Sequence, residues 1–218
     1  MQRPPAPIHS QGPPLLGRLV VLEPLAPAHV NALWEAAQDP RIWRWFPVLA
    51  ARDRVTFEGW IAEALAHAAE GDQVPFATLD AEHGRPVGST RFQNIRPEHR
   101  VYEIGSTWLT PTAWGTGANA ESKLLLLEHA FERLGARRVE FKTEATNDRS
   151  RGALAALPAR FEGVFRKHML VRDGENRDSA WYAVVDDDWQ DVKRHLSARV
   201  ARSVRARAAS QVDRRGAA

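Results

Sequence analysis

The sequence predicts an α+β domain built on a mixed sheet, and three observations predict it. Strand-like and helix-like runs follow one another in mixed order along the 218 residues, not in a strict strand–helix rhythm. The chain is 44% hydrophobic, enough at this length for one good core and a single domain. Near its middle a strand-like run, Val101 to Leu109, stops at Pro111 and passes through a small-residue turn directly into an amphipathic, leucine-rich helix. No internal repeat is present.

The elements follow in order. Residues 1–14 hold five prolines and are expected to form a flexible N-terminal tail. Leu19 to Leu25 reads as the first strand. Pro27 to Ala37 reads as a helix, with Val30, Leu33, Trp34 and Ala37 on one face. Asp39-Pro40 breaks it, and Arg41 to Pro47 forms an aromatic loop. Asp53 to Ala69 is a second helix whose stripe is Phe57, Trp60, Ile61, Ala64, Leu65 and Ala68, ended by Gly71-Asp72. Phe76 to Asp80 and Val87 to Ile95 make a hairpin turned around His83-Gly84-Arg85-Pro86. Val101 to Leu109 is the expected central strand. Leu124, Leu127, Phe131 and Leu134 keep helical spacing up to a stop at Gly135. Val139, Phe141 and Thr143 alternate on the next strand, and a short helix spans Asp148 to Leu157. A last hairpin pairs Phe161–Val171 with Ser179–Val185 around Asp173-Gly174. Trp189 to about Val204 reads as a C-terminal helix. The domain is expected over residues 15–196, with an Arg/Ala-rich tail over 197–218.

Composition narrows the function classes. There is no cysteine, which excludes disulfides, thiol nucleophiles and cysteine metal sites and fits a reducing cytoplasm. No signal-peptide pattern opens the chain, and no apolar run approaches the roughly 18 residues of a membrane span, so a soluble cytoplasmic protein is expected. The net charge of +3 is unevenly distributed: residues 197–218 carry six arginines against one aspartate, leaving the remainder slightly acidic. Such a run reads first as a solvated extension and second as a contact for RNA, ribosomes or another acidic surface; the body itself has no basic surplus for nucleic acid. The eight histidines are scattered without ligand spacing, so no metal is expected, and His168 is expected at the surface.

The turn Trp114-Gly115-Thr116-Gly117-Ala118-Asn119 carries little side-chain bulk and opens a helix. Free N–H donors and the positive end of the helix dipole suit a phosphate or diphosphate there. Two familiar phosphate loops do not fit. Lys123 lies well inside the helix, so no Gly-x-x-x-x-Gly-Lys-Ser/Thr run exists, and the third glycine of the dinucleotide fingerprint is missing. A tight turn that binds nothing is the alternative reading of these residues alone.

Tyr102-Glu103-Ile104-Gly105, Trp108-Leu109 and Trp114-Gly115-Thr116-Gly117, followed by Phe131 to Glu140, Asn147-Asp148-Arg149-Ser150-Arg151 and Ala159 to Val164, resemble in order the acetyl-CoA-binding core of GNAT-fold N-acetyltransferases. The likeness is strongest over residues 85–189 and looks most like the RimJ/RimL-type branch. It departs at Ala118-Asn119-Ala120-Glu121, where the family often has Tyr-Ala-Thr-Glu after the glycine, and at Leu157-Pro158, where it has Leu-Gly. The tyrosine that serves many members as general acid has no evident counterpart, since the only tyrosines are Tyr102 and Tyr182.

The resemblance implies a mostly antiparallel sheet splayed in the middle and flanked by helices, with acetyl-CoA as co-substrate. It implies that Thr107, Trp108 and Leu109 pair with the pantetheine arm, that an N–H near Leu109 faces the developing oxyanion, that Gly115, Thr116, Gly117, Ala118, Asn119 and Ala120 hold the diphosphate, and that Trp114 at the loop's start also binds the cofactor. Asn147 would bond the pantetheine across the splay, with Ser150 and Arg151 near the thiol or the adenosine end. Glu103 is the candidate base: a carboxylate in an apolar strand is costly unless it is paired or functional, and both readings stay open. Ser150 is the candidate for returning a proton to the thiolate or, alternatively, a helix cap. Trp43, Trp45 and Phe46 of the aromatic loop are expected to line the acceptor pocket or else to pack on the sheet. The expected activity is acetyl transfer to a primary amine (a protein N-terminus, an amino acid or a small molecule) by direct attack in a ternary complex. A non-catalytic acyl-CoA-binding module and a ribosome-associated factor are the competing classes, and a homodimer is left open.

Overall fold

The computed structural model describes residues 12–172 and 174–216, with side chains through Gln211. Most of the expected N-terminal tail, residues 1–11, and Asp173 of the expected turn lie outside the described residues. Eight strands form one sheet in the order β1-β2-β3-β4-β5-β6-β8-β7. They are β1 (Leu15–Leu16), β2 (Val20–Pro24), β3 (Val74–Asp80), β4 (Pro86–Arg96), β5 (Val101–Leu109), β6 (Arg138–Glu144), β7 (Arg160–Val171) and β8 (Glu175–Val185). Every neighbouring pair is antiparallel except β5 with β6. The sheet is therefore mixed and mostly antiparallel, as expected.

Helices cover both faces: α1 (Val30–Ala36), α2 (Arg54–Glu70), α3 (Ala118–Glu128), α4 (Asp148–Ala155) and α5 (Trp189–Gly216). Alternation along the strands divides the core into two layers. Leu124, Leu127, Val139, Phe141, Tyr182 and Leu196 fill the α3/α5 side, and Leu33, Trp43, Phe57, Ile61 and Trp108 fill the α1/α2 side. Each such side chain contributes about 1.5–3 kcal/mol when fully buried, so both layers are needed to hold the sheet's centre in place. Tyr102 and Ile104 belong to the α3 layer, which puts Glu103 between them on the α2 face.

Local signals explain the ends of the helices. Asp53 caps α2 by accepting from the Thr56 N–H, and Gly71 closes it in the left-handed region. Glu121, in the first turn of α3, accepts the N–H groups of Arg18, Leu19 and Val20 at 2.9, 2.5 and 2.8 Å. That carboxylate ties the start of β2 to the helix N-terminus, where its charge suits the dipole.

The C-terminal segment corrects an expectation. The helix does not end near Val204, nor does a tail begin at residue 197: α5 continues to Gly216, Val200 is buried, and Val204 packs against the core. Arg199 donates to the Ala156 carbonyl, and Arg207 pairs with Asp80 and Glu82. Two of the six arginines are thus spent on the protein's own surface. Among the described residues no helix is long and apolar enough to cross a membrane.

Candidate active site

The site begins where the sheet fails to close. β5 and β6 pair only through Val101–Arg138, Tyr102–Val139 and Glu103–Glu140, although β5 runs on to Leu109 and β6 to Glu144. Beyond Glu103 the two strands diverge and their facing backbone groups line a cleft of about 450 Å³. A bulge helps to open it. Ser89–Trp108 and Arg91–Gly105 are consecutive pairs across β4 and β5, so β5 carries one extra residue there, and Ser106 takes φ 48°. The Thr110 N–H donates to the Val87 carbonyl on β4, while the Leu109 carbonyl accepts from Trp114 Nε1 on the opposite side. Since backbone groups alternate along a strand, the Leu109 N–H is directed away from β4, towards the splay. It can donate to an oxyanion there.

One end of the cleft is suited to an anion. Gly115 and Gly117 have φ of 75° and 94°, in the left-handed region that glycine favours, and Gly117 precedes the first turn of α3, whose N–H groups have no partner within the helix. A side chain at Gly115 would project into open space, whereas one at Gly117 would strike Ser203 and Leu19. Gly115 therefore leaves room in front of the loop, and Gly117 allows α5 to pack behind it. Trp114, Gly115, Gly117, Asn119 and Ala120 line the cleft; Thr116 and Ala118 do not. Thr116 instead braces the turn, its hydroxyl donating to the Ala113 carbonyl and accepting from the Ala118 N–H. The helix N-terminus, Arg149 and Arg199 give this end a positive character that fits the phosphates of CoA.

α4 corrects one assignment. Arg151 does not line the cleft: it donates to the Tyr182 hydroxyl and the Ala145 carbonyl on the other side of the helix. Arg149 lines it instead, stacked 3.7 Å from the Trp114 ring. Residues two positions apart on a helix face different ways, and the arginine that reaches the cleft is the earlier one. Asn147 caps α4 by accepting from the Ser150 N–H at 3.1 Å, and both residues line the cleft. Ser150 is thus not the cap but the residue whose N–H is capped.

The aromatic loop divides in the same way. Trp43 is buried and packs edge-on against Phe46, Phe57 and Trp60, with its Nε1 donating to the Ala37 carbonyl. It is a core residue, not part of the acceptor wall. Trp45 and Phe46 do line the cleft. The loop is clamped from across the sheet by Arg172, whose N–H donates to the Pro47 carbonyl and whose Nη1 donates to the Phe46 carbonyl.

Glu103 stands at the vertex of the splay, 1% exposed. Gln93 Nε2 and Asn94 Nδ2 donate to its carboxylate at 2.7 and 2.6 Å, and Lys142 Nζ lies 3.2 Å away. It also borders a second cavity, whose lining includes Arg96, Arg138 and Glu162. The paired and the functional readings of this residue are therefore compatible. Removing one partner of such a buried pair costs about 3–5 kcal/mol, which makes the carboxylate structural whatever else it does.

Two cleft residues escape sequence reasoning. Lys123 is 5% exposed, donates to Thr107 Oγ1 at 2.8 Å, and has its pKa lowered by burial to about 7. Its signal is visible in retrospect: Ala120, Leu127 and Ala130, at helical spacing around it, are all buried. Arg177, on β8, also lines the cleft at 5% exposure, and burial lowers its pKa. No periodicity marks it, because Asn176 and Asp178 beside it are equally polar. His168 bonds Ser179 and does not line the cleft.

A family model described as "Acetyltransferase (GNAT) domain" matches residues 19–159. No curated protein matches. A GCN5-related N-acetyltransferase from Brucella melitensis superposes with a TM-score of 0.82 at 32% identity, covering 90% of this chain and 88% of that one. A putative acetyltransferase from T. thermophilus gives 0.78 at 37% identity, over 86% and 97%. Mycobacterium smegmatis RimJ, solved in complex with CoA-disulfide, shares the fold at 23% identity with a TM-score of 0.71, over 82% and 88%. A domain match across the splayed strands and the glycine turn, with relatives of this identity over nearly the whole chain, leads to one conclusion: the protein belongs to the GNAT acetyltransferase family.

Proposed function

We propose that this enzyme transfers acetyl from acetyl-CoA to a primary amine by direct attack in a ternary complex, within the RimJ/RimL-like part of the family. The observation that carries this reading is the splay between β5 and β6. It opens on one side to the anion-suited end of the cleft and on the other to Trp45, Phe46 and Glu103. Acetyl-CoA supplies the activated thioester; the protein's part is placement and proton management. The Leu109 N–H stabilises the oxyanion, an interaction worth more as charge develops than in the ground state. Glu103 takes the amine proton through water and passes it towards the second cavity. Ser150 returns a proton to the departing thiolate. With no cysteine in the chain, a thioester-linked enzyme intermediate has no residue to form on.

The test is thiol release from acetyl-CoA over a broad amine panel, alongside calorimetric titration with CoA. Turnover on at least one primary amine supports the reading. Micromolar CoA binding with no turnover on any amine would replace it with a non-catalytic acyl-CoA-binding module.

A further inference from the structure

On the acceptor side of the cleft one cation is left without a bonding partner. Lys142 is matched by Glu103 at 3.2 Å, and Arg172 by Glu175 at 3.1 Å and Glu144 at 3.4 Å. Arg177, on the same wall, has no such partner. Among the described residues its guanidinium makes no hydrogen bond, and its Nε is fully buried without an acceptor. The side chain is 5% exposed and borders the cleft together with Glu103, Trp45, Phe46 and Met169. A buried guanidinium without an acceptor is costly, because a charged donor has lost its water and gained no partner in return. Burial disfavours its charged form most, Arg172 adds to that, and Glu144 and Glu103 offset part of it from a distance without bonding to it. Its planar fork is matched best by a carboxylate, which can take two parallel bonds.

We infer that Arg177 receives a carboxylate of the acceptor, so that the amine acetylated here is a small aminocarboxylic acid with an apolar body, not the N-terminus of a protein. A protein N-terminus presents a neutral peptide carbonyl where a free amino acid presents its carboxylate, and only the second gives this guanidinium a charged, two-oxygen acceptor. Trp45, Phe46 and Met169 supply the apolar surface for the remainder of the acceptor. Glu103, on the same wall, lies on the side from which the amine must lose its proton. The inference rests on the acceptor lying on this side of the splay, as the proposed function places it.

The experiment separates binding from turnover. Phenylalanine, methionine, leucine, glutamate and β-alanine, each with its carboxamide partner, and a set of tripeptides are titrated into the CoA-loaded protein; the same compounds are then assayed with acetyl-CoA. The expected result is that at least one acid binds about 10–100-fold more tightly than its carboxamide, in the range of a charge-assisted bidentate contact, and that tripeptides bind no better than carboxamides. Arg177→Met should bring the acid-to-amide ratio close to one, and Arg177→Lys should keep part of it. Should Arg177→Met fail to fold, the wild-type ratio and the lysine variant decide. Equal binding of acids and amides, tighter binding of tripeptides, or no binding by any member of the panel overturns the inference. Turnover without a carboxylate preference removes this inference and leaves the acetyltransferase reading standing. A carboxylate preference in binding without turnover does the reverse.

Discussion

Replacing Lys123 with methionine should stabilise the protein, and by an amount that depends on pH. The residue is 5% exposed, and its pKa falls from 10.5 to about 7 because burial penalises the ammonium. The unfolded chain therefore holds a proton on this lysine that the folded protein tends to release between pH 7 and 10.5. Stability rises with pH wherever the unfolded state binds more protons, so this lysine costs nothing above pH 10.5 and progressively more as pH falls towards 7. At about 1.4 kcal/mol per unit, the full penalty approaches roughly 5 kcal/mol near pH 6 and has shrunk to about 1–2 kcal/mol at pH 9.5. Methionine fills a similar volume without charge and gives up the bond to Thr107 and the cation's contact with the Phe141 ring. Chemical denaturation of both proteins at pH 6 and at pH 9.5 measures the difference, and the comparison cancels every other titrating group. A stabilisation about 3 kcal/mol larger at pH 6 is expected. An equal effect at both pH values, or destabilisation at pH 6, would show that the ammonium is solvated or paired and would refute the reasoning.

Glu103→Gln should keep CoA affinity and lower kcat by about 10²–10⁴-fold at neutral pH, with partial recovery at high pH where more amine is already deprotonated. It should also lower the melting temperature, because Lys142 loses its carboxylate; a lower melting temperature with unchanged kcat would leave the residue purely structural. Gly117→Ala should destabilise the fold by displacing Ser203 and α5, whereas Gly115→Asp, which has open space before it, should weaken CoA in calorimetry with a much smaller loss of stability. Arg149→Ala should weaken CoA binding and leave thermal stability nearly unchanged, while Arg151→Ala, by freeing the Tyr182 hydroxyl and the Ala145 carbonyl, should do the opposite.

The sheet was legible wherever alternation or helical spacing met a strong punctuator. Val101–Leu109 is recovered as β5 because Pro111 ends it, and the helix of residues 54–70 because Asp53 and Gly71 bracket it. The full length of the C-terminal helix is hidden in the sequence because arginine and alanine outweigh Leu196, Val200 and Val204, whose four-residue spacing nonetheless marks the stripe that packs on the core. The splay could not be derived from side chains, since it depends on where two backbones stop pairing; only the family resemblance points to it. Within the candidate site, residue type came through better than direction. Trp43 and Trp45 have the same chemistry, but the short turn at Pro40–Ile42 sends the first into the core and leaves the second on the cleft. Arg149 and Arg151 are alike in sequence and separated only by the helix phase.

Glu103 takes its hydrogen bonds from two separately anchored bodies. Gln93 and Asn94 reach it from β4, which is paired with β5 on both sides of them, but Lys142 comes from β6, beyond the last paired residues. Any change in the angle between β5 and β6 therefore leaves the two neutral donors in place and lengthens or shortens the cationic one. The width of the cleft and the charge balance at the carboxylate are mechanically linked: whatever prises the strands apart loosens the ammonium first, and whatever draws them together tightens it.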